Sequence, residues 1–139
     1  MENIVNGFDF DTLKINITGG ELRNDYKGRK HYVFTVELTG MNKEKYYLPY
    51  RMGTGHAVKS ATGVTIEPKP KNSDVIYALL MDAEAGSMSF NDFCANFGYS
   101  NDSISAFNTY QTCAKTTDII NSCFNKQTIE QMKIALEGY

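Results

Sequence analysis

VTIEPKPKNSDVIYALLMDA, residues 64–83, is the stretch on which the fold turns, because the spacing of its apolar residues changes across Pro68 and Pro70. Before the prolines, Val64 and Ile66 alternate with polar neighbours, the period of a short strand. Beyond them, Ile76, Leu79, Leu80 and Ala83 recur at steps of three and four, which is one face of a helix. Proline lacks an amide donor and holds the preceding residue extended, so the pair separates two structural regimes. Ser73 is placed to cap the helix and Gly86 to end it.

Upstream the alternation persists. Leu13, Ile15 and Ile17 stand against Lys14 and Asn16, and Gly19-Gly20 breaks the pattern. From His31 to Leu38, Tyr32, Phe34, Val36 and Leu38 fall on one face. A polar stretch with Gly40 and Asn42 then leads to Lys45–Tyr50, so the two segments read as an antiparallel hairpin. Pro49 puts the end of its second strand at a sheet edge, and Gly53, Gly55 and Gly63 make the following stretch loop-like.

Downstream the helical period continues, and no proline follows Pro70. Ser89 with Asp92 forms a capping box for a helix carrying Phe90, Phe93, Cys94 and Phe97, which Gly98 stops. Asp102 or Ser100 caps a longer helix with the stripe Ala106, Phe107, Tyr110, Cys113, Ala114, Thr117, Ile120 and Phe124. A fourth helix starts at Thr128 with Gln131 completing its box. Strands followed by helices predict an α+β fold: a small antiparallel sheet packed against three or four C-terminal helices. The expectation is one domain over 1–139, with a β-rich part at 8–66 and a helical part at 72–137. Removing a core ring, Phe93→Ala or Phe107→Ala, is expected to cost on the order of 3 kcal/mol.

Composition narrows the function. The chain has 139 residues, enough for one core, with 42% hydrophobic and 22% charged residues and a net charge of −2. That balance argues against a dedicated phosphate-binding surface and against a nucleic-acid mimic. The longest apolar run, Val75 to Met81, is far below the roughly 18 residues of a membrane span. Met1-Glu2-Asn3 lacks the pattern of an export signal. Cys94, Cys113 and Cys123 are an odd set, read as reduced thiols in a cytosolic protein, with Cys94 and Cys113 packed as small hydrophobes rather than serving as a nucleophile and its resolving partner.

No sequence signature of a hydrolase, redox or nucleotide-binding site is present. His31, in a strand, and His56, in a loop, have no cysteine or carboxylate at metal-ligand spacing, so neither metal nor cofactor is expected. Tyr50-Arg51-Met52-Gly53-Thr54-Gly55-His56 resembles a phosphate-cradling loop only superficially, since a third glycine and a following helix are missing. It reads as a strand exit; as a functional loop it would present Arg51 and His56. Phe97 to Ser103 is a helix stop followed by a helix start, which accounts for every residue but Tyr99, an aromatic free to wedge the core or anchor an interface. Lys14, Lys27, Arg29, Lys30, Lys43 and Lys45 lie among Tyr26, Tyr32, Tyr46 and Tyr47, as in single-strand binders, but Glu21, Asp25, Glu37 and Glu44 intervene and favour a solvated hairpin face.

The ordered residues Pro49-Tyr50-Arg51-Met52-Gly53-x-Gly55-His56, Pro68-Lys69-Pro70, Asp74-Val75-x-Tyr77-x-Leu79, Asp82-Ala83, Ser89-Phe90-x-Asp92-Phe93-Cys94, Phe97-Gly98-Tyr99, Asp102-Ser103, Ala106, Tyr110 and Cys113 resemble a family of small proteins encoded by tailed bacteriophages and prophages. The resemblance covers residues 32 to 124 and departs from the family pattern at Ser100, where an aspartate is preferred. It implies a non-enzymatic protein of the host cytoplasm that binds a host defence factor, a CRISPR effector nuclease foremost, and inhibits it by surface occlusion; Arg51, His56 and Tyr99, polar or aromatic positions that the fold does not need, are the expected contact residues. The alternative is a nucleic-acid-binding accessory protein of phage replication or recombination. An enzyme would require Arg51, His56 and an acidic group to converge in one cleft.

Overall fold

Apolar alternation and helical spacing meet in one arrangement of seven strands and four helices among the described residues. In the computed structural model these residues are 4–12, 15–24, 30–39, 45–52, 58–66 and 71–138, with β3 to β6 described by backbone placement and register. The strands are β1 (Ile4–Val5), β2 (Phe8–Asp9), β3 (Ile15–Asn24), β4 (Lys30–Thr39), β5 (Lys45–Met52), β6 (Val58–Lys59) and β7 (Thr65–Ile66). The helices are α1 (Asn72–Gly86), α2 (Phe90–Phe97), α3 (Ile104–Cys123) and α4 (Lys126–Ala135). The fold is α+β, as the change of period predicts.

Strands β1 and β2 form a separate hairpin, and β3 to β7 form an antiparallel sheet in sequence order. The β4–β5 hairpin is the predicted one, with Phe34 opposite Tyr50 and Val36 opposite Leu48. Its neighbour β3 pairs Ile15 with Leu38 and Ile17 with Val36, so the register aligns the apolar positions of all three strands. Gly19-Gly20 does not end β3. The register shifts by one residue between Thr18 and Glu21 and the strand continues to Asn24, so the glycines accommodate a β-bulge rather than a break. Pro49 sits opposite Thr35 on β5, at a position where β6, paired only with Arg51 and Met52, does not reach.

One row crosses the sheet from Leu22 through Tyr32, Met52 and Val58 to Ile66. Ile66 is buried in the main core with Phe10, residues of α1 including Ile76 and Leu79, Ile120 of α3, and Met132 of α4. The sheet's apolar row therefore ends inside the helical core. The hairpin β1–β2 joins it from the other side. Asn6 and Gly7 both have positive φ, 48° and 86°, the backbone that a two-residue hairpin turn requires and that an Asn-Gly pair adopts readily. The Asn6 side-chain amide donates to the Ala135 carbonyl at 2.7 Å, filling an acceptor that the end of α4 leaves open. Asn72, opening α1, donates to the Phe10 carbonyl at 3.1 Å.

Helix punctuation follows the sequence in part. Ser89 accepts from Asp92 N–H at 3.1 Å, and Gly98, left-handed at φ 73°, closes α2. The other starts differ from expectation. Lys71, not Ser73, is the N-cap of α1, its N–H donating to the Asp74 carboxylate at 3.0 Å, while Ser73 is buried. Ser103 rather than Asp102 or Ser100 caps α3, accepting from Ala106 N–H at 3.1 Å. Asn125, three residues before Thr128, caps α4 by accepting from Thr128 N–H at 2.8 Å.

The predicted α3 stripe is displaced. Its buried residues are Ala106, Cys113, Thr116, Ile119, Ile120 and Cys123, whereas Phe107 is 47% exposed. Phe107 meets Phe90 edge-on at 5.6 Å, so the 3 kcal/mol cavity cost applies to the buried Phe93 and not to Phe107. Where α1 crosses α3, a Cβ on Gly86 would lie 2.2 Å from the Cys113 carbonyl oxygen. Helix α1 ends at Gly86 as expected, though not through a left-handed φ, and the missing side chain also permits backbone contact between helices.

Candidate functional site

Two exposed aromatic side chains of the helical half, Phe97 and Tyr99, meet where α2 turns into α3. Gly98 reverses the chain, Tyr99 N–H donates to the Cys94 carbonyl at 3.0 Å, and the Tyr99 ring comes to lie on Phe93, 5.7 Å between centroids and 10° from parallel. Phe97 packs on the same ring at 4.9 Å. Phe93 is buried, while Phe97, Tyr99, Phe107 and Ile104 are all exposed. Phe97 and Tyr99 thus leave aromatic surface exposed over a buried ring, while Phe107 lies against Phe90 at the other end of α2.

The junction is fixed from below. Asn101 donates to Asn91 at 2.9 Å across it, and Tyr110, half-buried against Phe90 and Phe93, donates its hydroxyl proton to the Met88 carbonyl. Ala85, Phe93, Cys94, Ala106 and Cys113 form a small core of their own beneath the surface aromatics. Such support holds the exposed rings over a packed base.

Facing the junction is the turn between β6 and β7. Ser60 N–H donates to Val64 at 2.9 Å, Gly63 N–H donates to Ser60 at 3.0 Å, and Gly63 takes a φ of 90°. Asp82, on α1 and only 1% exposed, grips this turn. Its carboxylate accepts from Ala61 N–H at 3.0 Å, Thr62 N–H at 3.0 Å and the Thr62 hydroxyl at 2.6 Å. A groove of about 220 Å³ separates the two features, lined by Ala61, Thr62 and Gly63 on one side and by Phe93, Phe97, Tyr99 and Thr109 on the other.

Of the three contact residues expected from the sequence, Tyr99 is placed at the mouth of this groove, 37% exposed. Arg51 lies on β5, paired with Val33 and Lys59, in the row that ends at the exposed Thr65; Lys59 runs directly into the 60–63 turn. His56 lies outside the described residues. The sequence places Asp82 in the family pattern and reads the stretch around Gly63 as loop-like, but it gives Asp82 no role, because the bonds that join the two span some 20 residues. The signal available was Thr62-Gly63, a turn pair awaiting an acceptor.

All three cysteines are buried and unpaired. Burial pushes the Cys113 thiol up to about 12, with the Asp82 charge adding to the rise, and burial alone pushes Cys123 up to about 11. Held protonated and enclosed, Cys113 and Cys123 are core residues. Among the described residues no three His, Cys, Asp or Glu side chains form a group able to hold a metal ion, and no helix is long and apolar enough to cross a membrane. No protein-family model, curated protein or solved structure matches the chain.

Proposed function

We propose that this chain is a phage-encoded, non-enzymatic binding protein that inhibits a host defence factor, foremost a CRISPR effector nuclease, by stoichiometric protein–protein contact. The observation that carries the reading is the aromatic surface at the α2–α3 junction, where Phe97 and Tyr99 stand exposed over the buried Phe93 and its packed base. Aromatic anchors set in a rigid frame are what a contact inhibitor uses, because little conformational entropy is lost when they dock. The resemblance of residues 32 to 124 to small tailed-phage proteins supports the choice of a host defence target.

The test is a titration of the purified chain into a reconstituted RNA-guided nuclease cleaving its cognate DNA. The expected result is inhibition that saturates near equimolar chain. Tyr99→Ala should leave the fold intact and weaken inhibition roughly 30-fold, the equivalent of about 2 kcal/mol for an interface anchor. Unimpaired cleavage across a panel of effector types at excess chain sinks the inhibitor reading, and inhibition far below equimolar chain points to turnover instead.

A second reading, a nucleic-acid-binding accessory protein of phage replication or recombination, is favoured by one distribution. Eleven of the fourteen Lys and Arg residues lie within the first 71 positions, against eight acids there. Binding to bare DNA or RNA by that region would weaken steeply with salt as counterions are released, whereas binding to a protein target would persist without nucleic acid.

A further inference from the structure

We propose that the groove between the 61–63 turn and the α2–α3 junction is the seat for an arginine side chain carried on a basic segment of a protein partner. The inference rests on the contact reading above and names the chemistry of what is contacted. Three independent features converge on it.

The first is the wall. Tyr99 has one face on Phe93 at 10° from parallel and remains 37% exposed, and Phe97 stands beside it. Aromatic faces attract cations, and a planar guanidinium stacks on them in a way that an ammonium does not. The volume, about 220 Å³, suits one side chain and falls below the roughly 300 Å³ at which drug-sized ligand sites begin.

The second is the charge behind the opposite wall. Asp82 is 1% exposed and lies directly beneath Ala61 and Thr62, which line the groove. It is held by three donors from that turn, and no cation among the described residues neutralises it. A buried carboxylate satisfied only by neutral donors keeps its field, since the surrounding low dielectric screens it poorly. The groove is therefore polarised for a positive guest.

The third is the sequence around it. From Asn72 to Ala114 there is no Lys or Arg, while Asp74, Asp82, Glu84, Asp92 and Asp102 fall in the same span. Nothing in α1, α2 or the first half of α3 competes for the seat. On the helical side an acidic peptide or a phosphate backbone would meet like charge, with Lys59 before the turn the nearest cation in sequence, whereas a basic segment gains at the groove itself.

The experiment titrates the full-length, 15N-labelled chain with an arginine nonapeptide, with a citrulline nonapeptide of nearly the same shape but no charge, and with a thymidine oligonucleotide. The arginine peptide is expected to shift the backbone amides of Ala61 to Gly63, Tyr99 and Thr109 in a saturable way. Tyr99→Ala should weaken that binding at least fivefold, and the citrulline peptide and the oligonucleotide should leave those amides in place. Equal shifts around the exposed acids Asp118, Glu130 and Glu137, indifference to Tyr99→Ala, or an equal response to citrulline or oligonucleotide overturns the arginine seat. The nuclease titration is read separately. Loss of inhibition in Tyr99→Ala without arginine-specific shifts rejects the seat and keeps the inhibitor reading; arginine-specific shifts without inhibition of any effector do the reverse.

Discussion

At the scale of single residues, Asp82 and Cys113 tie stability to the candidate site. Asp82 gives three hydrogen bonds a carboxylate acceptor inside the protein. In Asp82→Asn the shape is kept, but one acceptor oxygen becomes an NH2 group that must face a donor, and a buried N–H is left unpaired. The expected loss is about 2 kcal/mol, read from urea denaturation, together with faster amide exchange at Ala61 and Thr62; an unchanged midpoint would show that water or another turn geometry takes over. Cys113, pushed up to about 12, and Cys123, up to about 11, both stand above the ordinary thiol value of 9.0. The unfolded chain releases these protons first. Their contribution to stability is thus intact below pH 9 and is lost as pH climbs from 9 through 11 to 12, at up to about 1.4 kcal/mol per pH unit for each thiol. Denaturation midpoints measured from pH 7 to 11 should fall less steeply in Cys113→Ala than in the wild type, although that variant begins from a lower stability.

At the scale of elements, the α1–α3 crossing depends on a missing side chain. Gly86 approaches the Cys113 and Ala114 backbone so closely that a Cβ would stand 2.2 to 2.5 Å from their atoms, and Thr117 donates across the same seam to the Ala83 carbonyl at 2.7 Å. Gly86→Ala gains helix propensity yet must part the helices, so a net loss of at least about 2 kcal/mol is expected from thermal denaturation; a gain in melting temperature would mean that the seam yields freely. The sequence places the end of α1 at Gly86, where it lies, but not its second task, because a glycine near a helix end and a glycine at a helix contact look alike in one dimension. Ser89 and Gly98 were legible since both caps act within four residues. Lys71, Ser103 and Asn125 were not, because several polar residues compete at each start and packing selects among them. Strand β6 exists through its pairing with β5 and β7, which no local pattern announces. The hairpin at Asn6-Gly7 was announced plainly by its turn pair and passed over. For the candidate site, Tyr99 stood out as the residue that capping left unexplained, while Asp82 required the chain to fold back over 20 residues onto the 61–63 turn.

For the whole molecule, the decisive feature is that the β-rich and helical parts share a core instead of merely adjoining. Phe10 is fully buried in the cluster that also holds Ile66 from the sheet, Ile76 and Leu79 from α1, Ile120 from α3 and Met132 from α4. Its neighbours bind it from both ends of the helical half, Asn72 through the Phe10 carbonyl and Asn6 through the Ala135 carbonyl. Phe10→Ala therefore opens a cavity among helices that begin more than sixty residues later, and roughly 3–5 kcal/mol should be lost. A matched Phe107→Ala, at a ring 47% exposed, should cost less than about 1 kcal/mol. If the core is shared, the Phe10 variant lowers the protection of amides in α1 and α4 along with those of the N-terminal hairpin in hydrogen exchange. A small cost confined to residues 4–12 would instead make that hairpin an appendage, and the groove beside Tyr99 would then rest on α1, α2, α3 and the β6–β7 turn alone.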